Sequence, residues 1–146
     1  MYKSPINHQI SFFDFNQSCG MQLDPNNEWV RLADSMPWDK LEEKYSAMFP
    51  STTGRPAKPF QMAFGALILQ KRKKLSDRAL VREIAENPYL QYFLGVAKFQ
   101  HECPFTAPLL VLFRKRLNSE FLIEANEIYL QNAPKTNEHL GDCLLY

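Results

Sequence analysis

Two short basic blocks hold the side chains best suited to chemistry in this chain. Lys71-Arg72-Lys73-Lys74 and Arg114-Lys115-Arg116 each gather permanent cations, and Arg78 and Arg82 lie between them. Ammonium and guanidinium groups hold phosphate oxygens, and the planar guanidinium fork can also match the acceptor pair on a guanine edge. The chemistry on offer is therefore capture of a polyanion, with no bond made or broken. A blander account competes with it: cations at a helix end complement the negative pole of the helix dipole and need no ligand.

Charge distribution is compatible with both accounts. The 146 residues carry a net charge of only +1. Residues 1–54 hold four basic and seven acidic side chains, and residues 119–146 hold one basic and five acidic. Residues 55–118 hold twelve basic and four acidic, a local balance of +8. A basic middle between acidic flanks is a candidate surface for nucleic acid.

Other chemistries have little foothold. Nucleotide-binding glycine motifs, a serine-hydrolase elbow and a paired-histidine zinc helix are all missing from the sequence. His101-x-Cys103 would supply two metal ligands where zinc needs three or four, and His8, His139, Cys19 and Cys143 show no paired spacing. No bound metal or cofactor is expected. Three scattered cysteines read as reduced thiols of a cytosolic protein. The start, MYKSPINHQISFFDF, has no signal-peptide layout, and no apolar run reaches the ~18 residues of a membrane span. Neither export nor a membrane is expected.

The elements that must position the cations are helices. Residues 1–25 read as an extended arm packed by Phe12, Phe13 and Phe15. Trp29, Leu32 and Ala33 share one face of a short helix. Trp38, Leu41, Tyr45, Met48 and Phe49 form the apolar stripe of the next, which starts at Pro37 and ends near Pro50. Ser51–Pro59 is a linker by composition. Phe60–Gln70 is apolar almost all round, as a central buried helix is, and it runs into the first basic block.

Ser76 caps the following helix, which buries Leu80, Val81, Ile84 and Ala85 and sets Arg82 four residues before Glu86, at pairing distance. Asn87-Pro88 stops that helix and starts a short one ended by Gly95. A loop over 96–104 leads to a helix over Thr106–Leu117, and a last helix spans Ser119–Gln131. No period-two alternation is sustained and no repeat emerges.

The expected class is all-α: an extended arm (1–25), a helical domain with a helix–turn–helix-like unit (26–132) and a tail (133–146) ending in a short strand stub. Within that unit the connection at Leu75-Ser76 is very short, as in helical DNA-binding units. Of two helices suited to the major groove, Thr106–Leu117 is preferred over Asp77–Glu86, because its Arg114, Lys115 and Arg116 have no acid among them.

Four ordered blocks, PWDKLEEKYSAMF, GRPAKPFQMAFGALIL, LSDRALVREIAENPYLQYFLG and PFTAPLLVLFRKRL, resemble the amino-terminal region of a large group of bacterial insertion-sequence transposases. In that group the catalytic domain is RNase H-like and carries an Asp-Asp-Glu triad. The resemblance runs from about Leu23 to Leu117. It implies recognition of the terminal inverted repeats of a mobile element, in double-stranded DNA on the bacterial nucleoid. It also implies that the two divalent metal ions of strand transfer belong to the catalytic domain.

On this basis Arg55, Lys58, Lys71, Arg72, Lys73 and Lys74 are expected to anchor phosphates, with Arg78, Arg114, Lys115 and Arg116 at or near base edges. The family commonly places Asp or Ser around positions 106 and 107; Thr106 keeps one hydroxyl there. The sequence ends at GDCLLY, about where the strand bearing the first triad residue should begin, and Asp142 does not fill that role. The chain is therefore expected to be catalytically silent, as a natural truncation, a split reading frame or an excised fragment. Two alternatives accompany the DNA-binding one. The first is a dimerisation or regulatory fragment acting on full-length transposase through Pro37–Phe49 and Ser119–Gln131; the second is a decayed remnant.

Overall fold

The computed structural model of the protein describes residues 11–19, 23–47 and 58–132. Its helices are α1 (Phe12–Cys19), α2 (Glu28–Ser35), α3 (Trp38–Ser46), α4 (Phe60–Lys73), α5 (Asp77–Glu86), α6 (Pro88–Phe93), α7 (Ala107–Arg116) and α8 (Ser119–Asn132). No strand occurs among the described residues, and the class is all-α as expected. Met48, Phe49, Arg55 and the strand stub placed in the tail lie outside the described residues.

The extended arm needs a correction. Residues 12–19 are helical, started by Ser11, whose Oγ accepts from the Asp14 N–H at 3.2 Å. Eight residues cannot hold a helix alone in water, so tertiary packing decides it. Phe15 is fully buried and meets the Tyr92 ring at 5.4 Å, while Phe12 meets it edge-on at 5.5 Å. Burying one such ring is worth roughly 1.5–3 kcal/mol. Phe13, on the opposite side, is 69% exposed.

α4 is the central helix. Phe60, Ala63, Phe64, Ala66, Leu67, Ile68 and Leu69 are all buried, as its unbroken apolar sequence requires. α3, α5 and α7 pack against it. α8 reaches the same core through Phe121, whose ring lies 5.9 Å from Phe60 and 6.2 Å from Phe64. α2 lies along α6, with Trp29 and Phe93 centroids 5.5 Å apart. Gly65 sets how closely α4 approaches the end of α6. A Cβ there would sit 2.9 Å from Leu94 Cδ2 and 3.4 Å from a Phe93 ring carbon.

The helix ends use Ser76, Asn87 and Gly95, which the sequence singled out, and Asn27, which it did not. Asn27, Ser76 and Asn87 accept from the N–H groups of Trp29 (2.9 Å), Ala79 (3.2 Å) and Tyr89 (2.9 Å). Gly95, at φ +80°, closes α6, with Gly95 N–H donating to Tyr92 O and Val96 N–H to Gln91 O. This paired return is the Schellman ending.

On α5, Leu80 and Ile84 are buried, but Val81 and Ala85 are only half-buried. The stripe facing α4, α6 and α7 is narrower than the sequence suggested.

Gln91 ties the segment after α6 to the body of the domain. It has no solvent exposure; its Nε2 donates to Ile84 O (2.9 Å) and Gln100 O (2.7 Å), and its Oε1 accepts from Gln100 N–H (2.9 Å). A buried amide is tolerated when its partners are supplied in this way. No helix of the described residues is long and apolar enough to cross a membrane.

Candidate nucleic-acid interface

The two helix ends carrying the basic blocks meet the start of a third helix at one carboxylate. α4 turns off through Lys74, at φ 52°, and Leu75 N–H returns to Gln70 O at 3.2 Å. Lys74, Leu75 and Ser76 complete the connection to α5. Asp77, the first residue of α5, accepts from both arms of Arg114 on α7, at 2.9 Å (Nη1 to Oδ1) and 3.0 Å (Nη2 to Oδ2). Gln70 Nε2 donates to Asp77 Oδ1 at 2.6 Å, and Gln70 Oε1 accepts from Arg114 Nη1 at 3.1 Å. The hydrogen bonds from Arg114 and Gln70 hold the Asp77 carboxyl below its ordinary range, and Asp77 in turn raises the Arg114 guanidinium.

This junction redistributes the predicted contact residues. Arg114, Lys115 and Arg116 are consecutive, so on a helix they point about 100° apart and not in one direction. Arg114 turns to Asp77. Arg116 lies beside the Tyr45 hydroxyl, whose pKa burial raises while the guanidinium pulls it the other way. Lys115 alone of the three is exposed with no ion pair among the described residues.

In the first block, Lys73 pairs with Glu83 at 3.0 Å and stands 6.0 Å from the centre of the Trp29 ring. Arg72 is half-buried with contacts of its own. Lys71 and Lys74 are exposed, as is Arg78, one residue beyond Asp77. Lys58 is half-buried near Cys103, whose thiol pKa is raised chiefly by burial. Thr106 heads α7, exposed, with no side-chain cap bond to the helix.

Two acids of the basic middle are thus neutralised internally, Asp77 by Arg114 and Glu83 by Lys73. The expected Arg82–Glu86 pair does not form among the described residues; Glu83, one position along, takes Lys73 instead. Arg82 is exposed one helical turn after Arg78 and belongs with the outward cations, although the sequence reading left it out of the contact set. Its four-residue step from Arg78 was the signal. Lys71, Lys74, Arg78, Arg82 and Lys115 remain around the junction without ion-pair partners among the described residues. Exposed cations of this kind can hold phosphates; the helices that carry them are packed together, and what binding must order is the long side chains themselves.

The surfaces set aside for dimerisation are partly used up inside. Trp38, Leu41 and Tyr45 of α3 and Phe121, Ala125 and Tyr129 of α8 are buried in the core. Lys44 and Glu124 join the two helices at 2.5 Å. Among the described residues no three His, Cys, Asp or Glu side chains gather where a metal ion could be held.

Comparison with known proteins agrees with the resemblance read from the four blocks. The family described as "Transposase domain (DUF772)" matches residues 17–116, from within α1 to the last residue of α7. A relative described as "Uncharacterized protein ORF8 in nfe locus", from Rhizobium meliloti, is 33% identical over 114 residues. That alignment takes in 78% of this chain and 55% of the relative, so the chain spans about half the length of the curated protein it matches. No solved structure matches. The matched stretch holds both basic blocks and the Asp77 junction that joins them, and the chain belongs to the transposase domain family.

Proposed function

We propose that this domain binds the terminal inverted repeats of an insertion sequence in double-stranded DNA, on the nucleoid, and leaves strand cutting and joining to a catalytic domain bearing the carboxylate triad. The observation that supports this most is the junction of α4, α5 and α7, around which Lys71, Lys74, Arg78, Arg82 and Lys115 stand exposed. Phosphate contacts set register and affinity, while side chains at base edges set sequence preference. Four phosphate contacts would give a log–log salt slope of about −3.6.

Fluorescence anisotropy tests the reading, with duplexes cut from the DNA flanking the gene beside scrambled duplexes, across a salt series. Tighter binding to the repeat that persists at higher salt is expected. Equal binding to both duplexes, erased by salt, would reduce the basic middle to an electrostatic surface. Metal ions have no part in this binding, so affinity should be unchanged by a chelator. The two divalent ions of strand transfer belong with the triad.

A second reading is pairing with another transposase chain. It draws on Ile123 and Leu130, seven residues apart on α8 and 59% and 46% exposed outside the buried stripe. Sedimentation that finds only monomer at tens of micromolar would count heavily against it.

A further inference from the structure

α5 and α7 both bear exposed basic residues next to the residues of the junction, but their arginines are not equally placed to read bases. Arg114 has both arms of its fork on Asp77 and a further bond to Gln70. To read a guanine it would have to leave both, abandoning a carboxylate with which its geometry is already bidentate. The exposed residues near the start of α7 are Thr106, Pro108, Val111 and Leu112, none able to make a bidentate contact to a base. On α5, Arg78 and Arg82 are exposed one turn apart, with no ion pair among the described residues. Arg78 follows directly on the residue that Arg114 grips.

We infer that α5 carries the base-reading side chain, Arg78, and that Arg114 is a positioning residue which, through Asp77 and Gln70, fixes the angle at which α5 meets the groove. This reverses the preference for α7 drawn from charge alone, and it rests on the DNA-binding reading above. Arg114 acts through its bonds to two other helices and Arg78 through contact with DNA, so their substitutions have different signatures.

The discriminating variant is Asp77→Asn, nearly the same shape with one negative charge removed from a DNA-facing surface. Simple electrostatics makes it bind every duplex more tightly. Loss of the fork's second acceptor loosens α5 and lowers the preference for the repeat over a scrambled duplex.

The experiment measures that preference, as the ratio of the two affinities at one salt concentration, for the 146-residue chain and for Asp77→Asn, Arg114→Lys, Arg114→Ala and Arg78→Ala. Circular dichroism melts confirm that each variant is folded. Arg78→Ala should cut the ratio about tenfold, within the range of one lost bidentate base contact. Asp77→Asn and Arg114→Lys should each cut it about threefold while binding to scrambled DNA holds or rises.

An unchanged or higher ratio in Asp77→Asn, with the ratio abolished in Arg114→Ala, would make Arg114 itself the reader and overturn the inference. An unchanged ratio in Arg78→Ala would overturn it as well. A ratio of one in the unaltered chain would mean that end recognition itself fails, a result distinct from either.

Discussion

Replacing Gln91 by leucine tests the claim that one buried amide ties the α6–α7 segment to the domain. The substitution keeps the side chain's approximate bulk and removes three hydrogen bonds, to Ile84 O, Gln100 O and Gln100 N–H. At a net value of about 1 kcal/mol each, the loss would approach 3 kcal/mol. Gln100 is exposed, so its two backbone groups recover water partners in the variant. The Ile84 carbonyl belongs to the last turn of α5, against which α6 packs, and has no such recovery. The expected loss is therefore about 2–3 kcal/mol, a large share of the ~5–15 kcal/mol that holds a domain together. In a domain of this size it should lower Tm by roughly 10 °C. Urea unfolding followed by circular dichroism gives the free energy, and hydrogen exchange gives the location. The Gln100 amide should lose its protection in the variant before the core helices do. A loss under 1 kcal/mol, or a Gln100 amide protected as before, would refute the assignment.

Three further outcomes follow from the geometry. Gly95→Ala forces an L side chain into φ +80° and sets its Cβ 2.9 Å from the Gln61 amide carbon; urea melts should show a loss of about 2–4 kcal/mol from strain and crowding together. Asn87 ends α5 and caps α6 through Tyr89 N–H, so Asn87→Ala should cost about 1 kcal/mol in the same melts, and a neutral result would mean that the cap is dispensable. Asp77 has a folded pKa below its ordinary 3.8, chiefly through Arg114. Its stabilising contribution is present above the unfolded pKa and is lost as pH falls through the lower folded one. The stability difference between the parent and Asp77→Asn should therefore shrink between pH 5 and pH 2.5. The pair is 43% and 31% exposed, so the whole effect is a fraction of a kcal/mol. A gap that stays constant with pH would show that the carboxylate is not what stabilises the junction.

Much of the fold was legible because its signals are local. The apolar circumference of Phe60–Gln70, the Ser76 cap, Asn87-Pro88 and Gly95 each act within one or two turns, and each sits where the sequence placed it. α1 was missed because Asp14 and Asn16 suggest an irregular arm. Its helix depends on Phe15 reaching Tyr92, a contact across 77 residues. The Ser11 cap was the available clue.

The candidate site divides in the same way. The cations could be counted from sequence, but their availability could not. Arg114 meets Asp77 across 37 residues, and nothing local to either shows that one cancels the other. A run such as Arg114-Lys115-Arg116 looks like one patch when written out, and the helix then aims its members apart.

Lys74 stands in a backbone conformation where glycine is the low-energy choice. A lysine there carries roughly 1 kcal/mol of strain that Lys74→Gly would relieve, partly offset by glycine's freer unfolded chain. The same exchange would take an exposed cation off the α4–α5 corner. Selection for heat resistance and selection for grip on DNA therefore pull this position in opposite directions. A relative from a hot habitat that has glycine here should melt higher and hold all duplexes less tightly. Lys74→Gly, measured for both Tm and salt slope in this chain, would show whether the two properties trade against each other at a single residue.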